Sequence, residues 1–150
     1  MLSFARGLNR DSEAFVVFIT EKYDYKDKNS ILSKDLVKKI DSFLKTLKAK
    51  NIREEINSLD ISEKKKCFVI KVKDKYEDYY FTEIGGKFFT YLKNFKNISS
   101  VDIYADSLNE HKDNLVKLFS EFIFGFNLKS YAFDKYKILS KNKIDKKINF

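Results

Sequence analysis

Ala14-Phe15-Val16-Val17-Phe18-Ile19 is an unbroken apolar run of branched and aromatic side chains, ended by Thr20-Glu21. Such a run, without the polar alternation of a half-solvated strand, predicts a β-strand buried on both faces. A strand of that kind belongs inside a sheet covered on each side, which sets the fold class as α/β. Around it the sequence supplies further strands. Cys67-Phe68-Val69-Ile70-Lys71-Val72 is continuous in its first half and alternating in its second, so it predicts a second buried strand. Residues 99–105, with Val101, Ile103 and Tyr104 turned inward, predict a third. Residues 53–61, with Ile56, Leu59 and Ile61 weakly patterned, predict an edge strand, and residues 1–4 a short strand ahead of the first.

Between the strands the hydrophobic period switches to that of helices. From Ser33, placed as an N-cap, Leu36, Ile40, Phe43, Leu44 and Leu47 recur at three- and four-residue intervals, with Lys34, Lys38, Lys45 and Lys48 on the polar side. Residues 82–95 form a second helical pattern on Ile84, Phe88, Tyr91 or Leu92, and Phe95. Gly85-Gly86 lies inside it, although each interior glycine costs roughly 1 kcal/mol relative to alanine. A phosphate-binding turn would need more glycines at fixed offsets after a strand, so close packing of this helix on the sheet is the expectation. Residues 110–126 hold the cleanest pattern, Leu115, Leu118, Phe119, Phe122, Ile123 and Phe126. The order strand, strand, helix, strand, strand, helix, strand, helix predicts a mixed β-sheet flanked by helices, with right-handed crossovers.

At 150 residues one domain is expected, large enough to bury about 70% of the surface its unfolded chain exposes. No apolar run approaches the roughly 20 residues that span a bilayer. The single Cys67 excludes an internal disulfide and fits a reducing cytosol; in its apolar run it reads as a buried hydrophobe. A net charge of +8 raises a nucleic-acid function, but only Arg6, Arg10 and Arg53 are arginine, and phosphate and guanine recognition favour the bidentate fork. The densest lysine runs, Lys64-Lys65-Lys66 and residues 141–147, read as solvated faces or turns.

Catalytic machinery is nearly absent. His111, the only histidine, lies on the polar side near the start of the last helical pattern, flanked by Glu110 and Asp113, too isolated for a metal site of three or four convergent groups. Asp74, Glu77 and Asp78 crowd a solvated turn. No carboxylate set converges as a two-metal site requires.

Past the last periodic helix, the chain enters Gly125-Phe126-Asn127-Leu128-Lys129-Ser130-Tyr131-Ala132-Phe133-Asp134-Lys135-Tyr136-Lys137. A loop after a helix is usually polar, so Tyr131, Phe133 and Tyr136 alternating with charges predict a segment pressed onto another surface. The spacing Gly125-x-x-Leu128-x-x-Tyr131-x-Phe133-Asp134-Lys135-Tyr136-Lys137 resembles the end of the N-terminal domain of leucyl aminopeptidases, the cytosolic two-metal exopeptidases of the M17 type. The resemblance extends in layout to Phe15–Ile19 and to the helix with Ile84-Gly85-Gly86. It implies a macro-domain-like mixed sheet over residues 1–137, followed by a lysine-rich connector, residues 138–150, toward a catalytic domain.

By the same resemblance this chain carries no catalytic or metal-binding residue. The ligands, the catalytic lysine and arginine and the signature NTDAEGRL belong to the following domain, which would bind zinc, manganese or magnesium. The implied partners are that catalytic domain and further copies in a cytoplasmic hexamer. Gly125, Leu128, Tyr131, Phe133, Asp134, Lys135, Tyr136 and Lys137 are the implied docking residues. Ala132 stands where the family commonly has arginine, and Ile70-Lys71-Val72-Lys73-Asp74-Lys75 replaces a Gly-rich turn after the central strand. The alternatives are a free-standing macro-like module binding a nucleotide or ADP-ribose, and a basic nucleic-acid-binding domain. The first would need a glycine-lined phosphate loop, and Gly7, Gly85, Gly86 and Gly125 are the only glycines.

Overall fold

The first apolar run is a strand in which all six residues are buried, β1 (Ala14–Ile19). The computed structural model describes residues 11–27, 30–108, 110 and 112–139. After β1 come α1 (Lys34–Ala49), β2 (Ile56–Ser62), β3 (Lys65–Lys71), α2 (Tyr80–Leu92), β4 (Val101–Tyr104), a short 3-10 turn at Ala105–Ser107, and α3 (Lys112–Leu139). This is the expected order; the strand expected at residues 1–4 lies outside the described residues. The elements fall into two compact units, one holding β1–β4 with α1, the other α2 and α3.

In the first unit the sheet order is β2-β3-β1-β4. β1 pairs in parallel with β3, Phe15 beside Cys67 and Val17 beside Val69, and in parallel with β4, Val17 beside Tyr104. β2 runs antiparallel to β3 along the outer edge, joined through Glu63-Lys64, with a register shift between Asp60 and Ser62. The sheet is therefore mixed, as the order of elements predicts. Its central strand is the one whose sequence has no polar face, because a strand paired on both edges in parallel needs cover above and below.

Phe15, Val17, Ile19, Cys67, Val69 and Tyr104 form one core with Leu32 and with Ile40, Leu44 and Leu47 of α1. Val16, Phe18, Phe68 and Ile70, which alternate with them, are fully buried on the opposite side of the pleat. α1 starts where its sequence says: the Ser33 side chain accepts the Leu36 N–H, satisfying one of the free donors of the first turn. β4 departs from expectation. Val101 and Ile103 are only half-buried, and Tyr104 is the residue packed into the α1 core, because a four-residue edge strand has a neighbour on one side only.

Polar side chains lock the ends of the parallel strands. The Ser107 hydroxyl accepts the Phe18 N–H at 2.9 Å and donates to the Tyr104 carbonyl at 2.6 Å. Asp27 accepts from the Ile31 N–H at 2.9 Å, the Leu32 N–H at 3.2 Å and the Tyr104 hydroxyl at 2.6 Å, tying the segment after β1 to the end of β4. At the other end of the sheet, Glu13 accepts from the backbone and hydroxyl of Ser99 and from the Ser100 N–H.

In the second unit, α2 and α3 meet at glycines. A Cβ on Gly85 would collide with the Phe122 carbonyl oxygen and lie 3.0 Å from the Phe126 nitrogen. One on Gly125 would collide with the Thr82 carbonyl and lie 2.9 Å from the Thr82 Cα. Phe88 packs on Phe122 and Phe126, and Phe89 meets Phe126 edge-on with centroids 5.2 Å apart. The partner that Gly85 requires is thus α3; the sequence reading expected the sheet. A neighbouring backbone can approach a helix this closely only where the residue facing it lacks a Cβ, and a single-helix pattern does not say which neighbour exploits it.

Candidate functional site

α3, at 28 residues, is much longer than the helical pattern that announces it, residues 110–126. The segment expected to leave the helix after Phe126 continues as helix through Leu139. Nothing from Asn127 onward breaks a helix: there is no proline or further glycine, and Leu128, Lys129, Ala132 and Lys135 are good helix formers. Gly125 is tolerated inside because it serves the contact with α2. The closing motif is therefore a row of helix positions, and its residues separate by face.

Gly125 is buried against α2, whereas Leu128, Tyr131 and Lys135 are exposed. At 3.6 residues per turn, Phe124, Leu128, Tyr131 and Lys135, spaced by four, three and four, stand on one side of the helix. Leu115, Leu118, Phe119, Phe122 and Phe126 fill the other and are buried. The exposed fractions are large: 60% for Phe124, 54% for Leu128, 68% for Tyr131 and 69% for Val116. A helix with apolar residues on both faces is ordinarily enclosed, so this side offers apolar surface, as the exposed Tyr76 and Tyr79 ahead of α2 also do. Asp113, Lys117 and Ser120 continue the exposed row toward the helix start. The side chains of Phe133, Asp134, Tyr136 and Lys137 lie outside the described residues.

Phe124 and Val116 were not among the residues singled out from the sequence. Their signal was present: each falls between the buried positions, out of phase with the stripe that the pattern search follows.

Other polar clusters are engaged in holding the sheet unit together. Tyr25 and Tyr104 have their phenol pKa raised well above the ordinary 10.0, by burial first, then for Tyr25 by the charge of Asp41 and a hydrogen bond to it, and for Tyr104 by its hydrogen bond to Asp27. They are donors to carboxylates, not bases or nucleophiles. Burial likewise pushes the Cys67 thiol up, so it stays protonated and unreactive. Asp74, Glu77 and Asp78 are exposed, as expected of a turn. His111 lies outside the described residues.

After β1 the Thr20 hydroxyl accepts the Lys22 and Asp24 N–H groups, while the Thr20 N–H donates to the Asp24 carbonyl. Those backbone donors are turned on their own loop. The described glycines, Gly85, Gly86 and Gly125, all sit in helices. Among the described residues no group of three or more His, Cys, Asp or Glu side chains is arranged to hold a metal ion. No helix among them is long and apolar enough to cross a membrane.

No family model matches the chain, and neither a curated protein nor a solved structure matches it.

Proposed function

We propose that this chain is a non-catalytic N-terminal assembly or regulatory domain of a leucyl aminopeptidase, whose metal-dependent chemistry would reside in a following domain. The observation that carries the reading is the closing motif: Leu128, Tyr131 and Lys135 lie on the exposed side of α3, next to the buried Gly125. A motif that only stabilised its own helix pair would turn its apolar members inward. Here two of them point to solvent, as an assembly element requires. The mixed sheet with its helices is compatible with the macro-like layout that the resemblance implies. Zinc, manganese or magnesium would belong to the parent's catalytic domain.

The test begins with the coding frame downstream of Phe150, which is expected to continue into a domain carrying the aminopeptidase metal ligands and the NTDAEGRL signature. The purified chain, incubated with leucine amide analogues and excess manganese or zinc, is expected to show no turnover, since an activated water needs a metal held by several protein groups. A frame that closes without such a domain, or metal-dependent turnover by this chain alone, overturns the proposal. Micromolar ADP-ribose binding by calorimetry would replace it with the macro-like alternative.

A further inference from the structure

Half of the chain's net charge of +8 sits on α1. Residues 34–50, the helix with its C-cap Lys50, hold six lysines against two acids, Asp35 and Asp41. Lys34, Lys38, Lys45 and Lys48 are exposed, and at 3.6 residues per turn they fall within about 80° of one another around the helix, over about 21 Å of its length. None of the four is ion-paired among the described residues. Asp35 lies in the first turn, where a carboxylate meets the free N–H groups, and Asp41 is hydrogen-bonded to the Tyr25 phenol. Lys39, on the flank, is engaged with the Ile61 carbonyl at 2.9 Å and is not part of the stripe. The other helices mix their charges: α2 sets Glu83 against Lys87, and α3 has Asp113, Glu121 and Asp134 among its lysines.

We infer that this stripe of α1 binds the phosphate backbone of nucleic acid without reading its sequence. The sign of the charge calls for a polyanion, and the make-up of the face decides which kind. Ser42 and Ala49 stand beside the lysines, and no large apolar side chain of α1 is exposed, because Ile40, Leu44 and Leu47 are buried in the core of the sheet unit. A protein partner needs a desolvated apolar centre to meet, and a helix lying in a membrane surface needs an apolar face to insert. The apolar side of α1 is already used within its own unit. Contacts to phosphate need neither, being charged and wet. Lysine makes them as a point charge, and the scarcity of arginine, which argues against reading base edges, leaves contacts that carry no sequence information untouched. This goes beyond the aminopeptidase reading and does not depend on it, because it concerns only the exposed side of α1.

Fluorescence anisotropy of the full chain with a labelled DNA duplex of about thirty base pairs is expected to show binding at about 50 mM salt, equal for two unrelated sequences. The slope of log K against log salt should be about −3 to −4, as release of counterions by four lysines requires. Lys38→Gln or Lys45→Gln alone should make that slope shallower by about 0.9 and weaken binding a few-fold. Lys34→Gln, Lys38→Gln, Lys45→Gln and Lys48→Gln together should abolish binding with unchanged circular dichroism. Lys96→Gln, Lys117→Gln, Lys129→Gln and Lys135→Gln together remove the same charge from exposed positions outside α1 and should leave most of the binding and its slope in place. Equal losses from the two fourfold variants would reduce the effect to bulk charge and overturn the inference. So would the absence of duplex binding at about 50 mM salt, including the case in which phosphatidylserine vesicles are bound instead. None of these outcomes bears on whether an aminopeptidase domain follows.

Discussion

β1 and α3 are both apolar on more than one side, and the molecule treats them oppositely. Every side chain of β1 is buried, with parallel neighbours on both edges and the α1 core on one face. α3 buries Leu115, Leu118, Phe119, Phe122 and Phe126 on one side, Phe122 and Phe126 against Phe88 of α2, while Phe124, Leu128 and Tyr131 are exposed on the other. Apolar content alone does not measure burial. A strand paired on both edges is enclosed as its sheet forms, whereas the pairing of α2 with α3 leaves Phe124, Leu128 and Tyr131 exposed.

The contrast breaks most visibly under truncation. Phe15→Ala, in the fully buried centre of the sheet, is expected to cost about 3–5 kcal/mol in urea unfolding, and Phe124→Ala no more than about 0.5 kcal/mol at concentrations where the chain is monomeric. Comparable losses at the two positions would mean that the exposed side of α3 is not free surface in solution.

A sharper test lies within the glycine pair. Gly85→Ala should destabilise by about 1–3 kcal/mol, because its methyl has nowhere to go against the Phe122 carbonyl. Gly86→Ala finds its nearest neighbour, the Gly125 carbonyl oxygen, at an ordinary 3.6 Å, so it should be neutral or stabilise by up to about 1 kcal/mol through helix propensity. Differential calorimetry showing the same shift for both substitutions would refute the helix–helix contact.

In the sheet unit, Tyr104→Phe removes the donor to Asp27 and is expected to cost about 1 kcal/mol. It should also soften the alkaline limb of stability. The folded phenol is raised above its ordinary 10.0, so the unfolded chain ionises first and stability falls as pH rises beyond that value. A variant that keeps the wild-type alkaline slope would show that this hydroxyl does not report on folding.

The smallest effect concerns Glu13, whose pKa is lowered by the Ser99 N–H first, against an opposing desolvation, with the Ser99 hydroxyl and Ser100 N–H also lowering it. A carboxyl depressed on folding contributes stability above its ordinary 4.5 that is lost as pH falls through the lower folded value. The group is largely solvated, so screening keeps the contribution small. Glu13→Gln should flatten the acid limb slightly and leave stability at pH 7 little changed; a steeper acid limb would reverse the assignment.

The strands and α1 were legible because each carries its own evidence. An unbroken apolar run can only be a core element, and Ser33 before a periodic stretch marks a helix start whatever lies around it. The end of α3 was less legible. Dense aromatic residues among charges after Gly125 read as a pressed loop, yet with no breaker present, hydrogen bonds already formed upstream carry the helix onward. The candidate face was half visible: Leu128, Tyr131 and Lys135 stood out through a motif, Phe124 did not, because the periodicity that marks a core also hides the residues between its beats.

The sequence by itself determined β1 to β4, α1, α2 and α3 as far as Phe126, since those choices follow from backbone propensity and from the two periods of side-chain direction. It determined the place of its one thiol as well, since Cys67 stands inside an unbroken apolar run and is buried there. Only the tertiary structure decided that β1 lies between β3 and β4, that Gly85 and Gly125 are notches for a neighbouring helix, and that one side of α3 is left open. Those outcomes depend on which of several apolar surfaces meet, and that is settled by the pairing that buries the most surface at native density, a property of the whole chain that no local stretch encodes.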